Sequence, residues 1–211
     1  MDGESEHDIA PPAGNEKRRL QILRATLRLL RQHGSAITTA QIAGEARCSK
    51  ETLYSWFGDR DGIMIALANE QARGMREAMQ DRFDNTRGSL ESRLKSCATL
   101  LLDIMTGDAA LAVNRVAMAQ ACMEDTRMGE VVMADWNQQV AQPFYAIFQQ
   151  GNDSGELAVH SPQEAFDNLI GLLVGDRQRR LLLGEDMRPD PTTMKSIAGK
   201  AIQRWLILYA R

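Results

Sequence analysis

The stretch Thr38-Thr-Ala-Gln-Ile-Ala-Gly-Glu-Ala-Arg-Cys-Ser-Lys-Glu-Thr-Leu-Tyr-Ser-Trp-Phe57 decides how this chain folds. Thr38 followed three residues later by Gln41 is a capping box, so a helix is expected to begin there. Its apolar residues Ile42, Ala43 and Ala46 share one face and are small enough for another helix to cross closely. Ser49 supplies a second N-cap only eleven residues after Thr38, with Leu53, Trp56 and Phe57 as the packing residues behind it. Arg47-Cys48 leaves room for a tight turn alone, and two short helices so joined make a helix-turn-helix. In such a pair the second helix enters the DNA major groove by its N-terminal end, where free N–H groups also suit phosphate. Lys50, Glu51, Thr52, Tyr54 and Ser55 point away from the packing residues, and most can hydrogen-bond a base edge or a phosphate. The Tyr54 hydroxyl and Arg60, just past the helix, are expected as phosphate clamps.

Upstream, Leu20, Leu23, Leu27 and Leu30 recur at three- and four-residue spacing from about residue 16, with Ile22, Thr26 and Leu29 widening the buried arc. At about 100° per residue, Lys17, Arg24, Arg28 and Arg31 fall on one stripe away from most of that arc. Gly34 is expected to stop this helix. The chain carries a net charge of -3, yet residues 16–60 hold nine Lys/Arg against four acids, a local +5. The first 15 residues carry -4 and residues 61–211 another -4. Net positive charge is thus concentrated in the segment that would face phosphate.

Downstream, Gly58-Asp59 ends one helix and caps a long one running to about Asn85. Breaks follow at Gly88-Ser89, Gly107-Asp108, Asp125, Gly151 to Gly155 and Gly184 to Pro191. Ser161-Pro-Gln-Glu164 and Asp190-Pro191 each open a helix with Pro at its first position. Pro143, inside a helix of roughly Thr126 to Gln150, is expected to kink it. The count is about nine helices with no convincing strand, an all-α fold, and the wealth of Leu, Ala, Met, Arg and Gln agrees. Residues 1–15 are acidic and rich in Pro and Gly, and read as a disordered tail. They lack the basic and apolar regions of a signal peptide, and no run approaches the roughly 18 apolar residues of a membrane span. A cytoplasmic protein that does not engage a membrane is the expectation.

Cys48, Cys97 and Cys122 lie far apart without CxxC spacing, and His7, His33 and His160 are equally scattered. No metal site and no cofactor are expected, and the cysteines read as small core residues. Paired carboxylates, a Cys/His dyad and a phosphate loop are all missing from the pattern, so an enzyme is not expected.

Ser49-Lys-x-Thr52-Leu-Tyr54-x-x-Phe57-Gly-Asp-Arg60-Asp61, with the preceding Thr-Thr-x-x-Ile-Ala, resembles the signature of TetR-type (TetR/AcrR family) transcriptional regulators. The resemblance implies a three-helix DNA-binding domain, here residues 16–61, joined to a larger helical ligand-binding and dimerisation domain, residues 62–211. It places Thr38, Thr39 and Ala40 against the DNA backbone and an adjacent base. Ser49 opens the recognition helix, whose Lys50, Glu51, Thr52 and Ser55 would face bases, while Tyr54, Trp56 and Arg60 would face phosphates. Two positions depart from the family: Arg47 stands where Gly is frequent, and Cys48 where Val is common. The first implies a strained or altered turn.

The same resemblance implies a homodimer that binds a double-stranded operator and leaves it when a small effector binds. Two apolar helices near the chain end, about 161–183 and 190–209, suggest the interface, through Phe166, Ile170, Leu173, Val174, Ile197, Ala201, Trp205 and Leu208. Gly171 and Gly175, four apart, would let helices approach closely. Eight of eleven methionines fall between Met64 and Met133, which suits an adaptable apolar pocket. Leu101, Met105, Met118, Cys122, Trp136, Tyr145 and Phe148 are its candidate walls, and Arg177 a candidate partner for an acidic ligand. A ligand-independent nucleoid or cell-division factor of the same fold is the alternative, which a solid core in place of a pocket would favour.

Overall fold

The computed structural model describes residues 13–85, 87–123 and 127–211. Eleven α-helices run in the order α1 Ala13–His33, α2 Thr39–Ala46, α3 Lys50–Phe57, α4 Arg60–Asn85, α5 Leu90–Thr106, α6 Asp108–Ala121, α7 Arg127–Asp135, α8 Gln142–Asp153, α9 Pro162–Val174, α10 Arg177–Leu182 and α11 Pro191–Tyr209. A 3₁₀ turn, Gly34–Ala36, follows α1, and a π-helical turn, Trp136–Ala141, joins α7 to α8. No strand occurs among the described residues; a single antiparallel bridge, Leu157 to Ala210, ties the chain end to the loop after α8. No single described helix is long and apolar enough to cross a membrane.

Nine expected helical segments become eleven because two of them break. The first break sits at Pro143. Proline has no N–H for the carbonyl four residues back, and its ring crowds that carbonyl, so the wider π turn just ahead of it absorbs the misfit. The second break sits at Gly175, whose φ of 55° ends α9. Arg177 then folds back, its Nη1 donating to the carbonyls of Leu173 at 3.3 Å and Val174 at 3.2 Å. These are orphan carbonyls of a helix end, and a guanidinium satisfies them well. Gly175 is therefore a helix terminator, and a Cβ on Gly171 would meet nothing within 4 Å. No helix of the same protomer approaches closely at Gly171. Helix α1 starts at Ala13, before the expected residue 16; the rest of the expected tail, residues 1–12, and the expected break at Asp125 lie outside the described residues.

Two apolar clusters hold the molecule together. One gathers Ile22, Leu23, Ile42, Leu53, Ile63 and Leu67 from α1 to α4 and adds Val116 of α6 and Met128 of α7. The other joins α5, α8, α9 and α11 around Phe144, Phe148, Phe166 and Trp205, all 0% exposed. Trp205 stacks on Phe148 with ring centroids 4.8 Å apart, and its Nε1 donates to the Ala165 carbonyl at 2.7 Å.

This inner role revises the expected interface. Phe166, Leu173 and Trp205 are wholly buried within the protomer, and Val174 and Ala201 are buried nearly so. Ile170 and Ile197 are half-buried, and Leu208, with its neighbour Ile207, faces outward at 62% and 82% exposure. Helices α9 and α11 carry apolar residues on more than one face, and periodicity alone cannot say which face turns inward.

Candidate nucleic-acid interface

Each helix of the α2–α3 pair is started by the residue its sequence advertises. Thr38 closes a complete capping box, its hydroxyl accepting from the Gln41 N–H at 3.3 Å while Gln41 Oε1 accepts from the Thr38 N–H at 2.8 Å. Ser49 Oγ accepts from the Thr52 N–H at 3.1 Å. Between them Arg47 takes the left-handed conformation, φ 52° and ψ 52°, that a glycine would adopt without strain. Cys48 N–H donates to the Ala43 carbonyl at 3.0 Å, closing the turn. The Arg18 guanidinium donates to the Arg47 carbonyl at 2.6 Å, bracing the turn from α1. Sequence reading gave Arg18 no part in this, because its partner lies 29 residues away.

On the outward side of α3, Lys50, Glu51, Tyr54 and Ser55 are exposed and Thr52 is half-buried, while Leu53 is wholly buried. Thr38 and Ala40 are exposed at the start of α2 and Thr39 is half-buried. The Tyr54 and Thr39 hydroxyls lie 3.3 Å apart, which joins the two helices' polar groups in one spot. The Glu51 carboxyl is held below its ordinary pKa, first by its own backbone N–H and then by the Ser49 hydroxyl. It therefore stays anionic at neutral pH, suited to accept from a cytosine amine and not to meet phosphate.

Two of the residues expected at phosphates also have partners within the protomer. Trp56 is half-buried against the first apolar cluster. Arg60 donates through Nη2 to the Ser35 carbonyl at 2.6 Å and through Nε to the Ile37 carbonyl at 3.1 Å. It fastens the α1–α2 connection to the head of α4, and it lines one open recess with Thr38, Thr39 and Tyr54. On the α1 stripe, Arg28 is paired with Glu45 at 2.9 Å, while Lys17, Arg24 and Arg31 are exposed.

Asp61, in the first turn of α4, accepts from Gln120 Nε2 of α6 at 2.6 Å and lies 3.5 Å from Arg127 of α7. Both helices also line a cavity of about 310 Å³ enclosed by α4, α5, α6, α7 and the ends of α9 and α10. Of the expected wall residues only Met105 and Trp136 line it. Leu101 and Phe148 are 0% exposed in the second apolar cluster, and Met118 and Cys122 face outward on and just past α6. The Tyr145 hydroxyl is bonded to Gln163, and Arg177 caps α9 instead of facing a ligand. Met75, Ile104, Asn114, Met133 and Gln178 line the cavity without having been expected as its walls, and Ile170, expected at the dimer interface, lines it too. Only the crossing of six helices brings them together. Cys97 lies in the second cluster, where burial pushes its thiol up to about 11 and leaves it inert at neutral pH. Among the described residues no three of His, Cys, Asp and Glu converge as a metal ion would require.

Residues 22–67 match the family of bacterial regulatory proteins of the tetR type. Residues 92–211, more than half of the chain, match the AefR-like transcriptional repressor C-terminal domain.

The chain belongs to the TetR family of transcriptional regulators.

A TetR transcriptional regulator from Agrobacterium tumefaciens is 35% identical to this TetR-family chain, with a TM-score of 0.74 over 92% of this chain and 94% of that one. A TetR-family regulator from Mesorhizobium loti is 17% identical at a TM-score of 0.84, over 95% and 100% of the two chains, and shares the fold. So does the flavonoid-responsive regulator FrrA, 18% identical at a TM-score of 0.68 over 92% and 98%. None of the curated proteins compared with the TetR-family chain matches it. The α2–α3 pair is thus the helix-turn-helix of a DNA-binding transcriptional regulator.

Proposed function

We propose that this chain is a cytoplasmic, homodimeric repressor that leaves its operator when a small apolar or amphipathic ligand fills the cavity between α4 and α7. The observation that carries the reading is the Asp61 junction. Its bonds to Gln120 and Arg127 tie the first turn of α4, on which α3 packs, to the two helices that wall the cavity. A ligand that favours a different α6–α7 spacing therefore biases the position of the DNA-reading helix, and operator affinity falls by a shift of population. An open cavity in place of a solid core favours this reading over a ligand-independent architectural role.

At the operator, Lys50, Glu51, Thr52 and Ser55 meet base edges and the Tyr54–Thr39 hydroxyl pair meets phosphate, with Thr38 and Ala40 alongside. Two copies place two such helices in successive major grooves, about 34 Å apart. The test is fluorescence anisotropy of the full chain on DNA flanking its own gene. Lys50→Ala is expected to lose about 1–3 kcal/mol of specific binding, and Asp61→Asn to bind DNA while responding less to an active metabolite. Unchanged operator affinity in Lys50→Ala would remove α3 from the major groove.

A further inference from the structure

The cavity wall is selective in what it offers a ligand. Among its described lining residues none is charged, and besides the Trp136 indole N–H the polar groups are three amides, Gln71, Asn114 and Gln178. Two of these are oriented by the backbone. Asn114 Nδ2 donates to the Ala110 carbonyl at 2.8 Å, and Gln178 Nε2 donates to the Met105 carbonyl at 3.2 Å. Asn114 and Gln178 each keep a carbonyl oxygen and one N–H with no further partner among the described residues. Neither oxygen is sealed away: the one described side-chain atom both unpartnered and fully buried is Gln120 Oε1.

The adjoining recess, which shares Gln71, Met75, Ile104 and Ala110 with the cavity, brings in Arg31 and Arg188 against Glu70, Asp103 and Asp108. Arg188 is held by Asp103 at 2.9 Å. Two arginines against three carboxylates provide no surplus positive charge for an anionic headgroup. A carboxylate entering the cavity would lose water without gaining a cation, a costly exchange. A hydroxyl can donate to an amide oxygen and accept from an amide N–H, and an apolar body can fill the rest of the wall.

We infer that the ligand of this cavity is an uncharged, largely apolar molecule bearing a hydroxyl group, bound at Asn114 and Gln178. The inference rests on the cavity being the effector site of the proposed repressor. Three probes on one skeleton separate the alternatives: 4-phenylphenol, 4-methoxybiphenyl and biphenyl-4-carboxylate, titrated calorimetrically into the full-length protein at pH 7. The phenol is expected to bind roughly three- to tenfold more tightly than the ether, since one hydrogen bond is at stake. It should exceed the carboxylate by more than about tenfold. Asn114→Leu, and separately Gln178→Leu, should shrink the gap between phenol and ether while thermal melts report an intact fold. The wild-type comparison stands without either variant. A carboxylate that binds as well as the phenol, a phenol no better than its ether, or binding by none of the three overturns the inference. Operator affinity, measured in parallel by anisotropy, separates the two levels. Phenol binding that leaves DNA affinity unchanged sinks ligand release and spares the hydroxyl preference. Operator release driven by the carboxylate spares ligand release and sinks the hydroxyl preference.

Discussion

Arg47 holds φ at 52°, and no other described residue apart from glycines has a positive φ. For a residue with a Cβ this conformation costs about 1–2 kcal/mol, and here it lets the backbone reverse between α2 and α3. Glycine would remove that strain and add about 0.5–1 kcal/mol of chain entropy cost. The Arg18 bond to the Arg47 carbonyl survives the change, because it uses the main chain. Arg47→Gly is therefore expected to raise the thermal midpoint by about 1–4 °C, read by circular dichroism; a lower midpoint would mean that the Arg47 side chain stabilises the turn. Gly62 is the opposite case. A Cβ there would lie 1.9 Å from the Phe57 carbonyl oxygen, so the α3–α4 corner accepts no side chain at this position. Gly58, with φ 78°, announces itself in the sequence as a helix end; Gly62 sits inside α4 and does not.

At the scale of elements, the DNA-reading pair is set by two arginines acting on backbone carbonyls, Arg18 at the turn and Arg60 at the α1–α2 connection. Removing Arg60 orphans the Ser35 and Ile37 carbonyls, and charged donors to such groups are worth about 1.5–3 kcal/mol. Partial exposure puts the expected loss for Arg60→Ala toward the lower end, about 1–2 kcal/mol, with the salt dependence of DNA binding unchanged. Melting curves combined with operator affinities at several salt concentrations check this. A salt slope shallower by about one, with no loss of stability, would return Arg60 to the phosphates. The caps of α2 and α3 were legible in Thr38-x-x-Gln41 and Ser49 because each motif closes within a single turn. The break between α9 and α10 was not, since Gly175 sits inside an otherwise continuous apolar pattern and Arg177 completes the cap only once the chain has folded back.

For the whole molecule, the apolar surface of the last helices divides between two tasks. Trp205 and its neighbours close the protomer's own core, and Ile207 and Leu208 are left facing out for the proposed dimer. Ile207→Asp with Leu208→Asp is expected to give folded monomers in sedimentation velocity, whereas Trp205→Asp is expected to lose helical circular dichroism at any concentration. A dimer that persists in the Ile207/Leu208 variant would move the interface elsewhere. The DNA-reading helices share their apolar cluster with Val116 of α6 and Met128 of α7, so residues 16–61 do not pack in isolation. That shared packing, together with the Asp61 junction, gives ligand-walling and DNA-reading helices a common mechanical boundary.

What the sequence determined by itself is what short-range chemistry specifies. Helix starts follow from caps, helix spans from apolar spacing, and the identity of the DNA-reading segment from a motif whose residues all lie between Thr38 and Asp61. The tertiary structure alone decided the rest. Arg18 and Arg60 find carbonyls 23 to 29 residues away. The apolar face of α11 that turns inward depends on what α5 and α9 present to it, and the cavity exists only where six helices fail to fill the space between them. Such features are differences among several packed surfaces, and no periodicity within one helix encodes them.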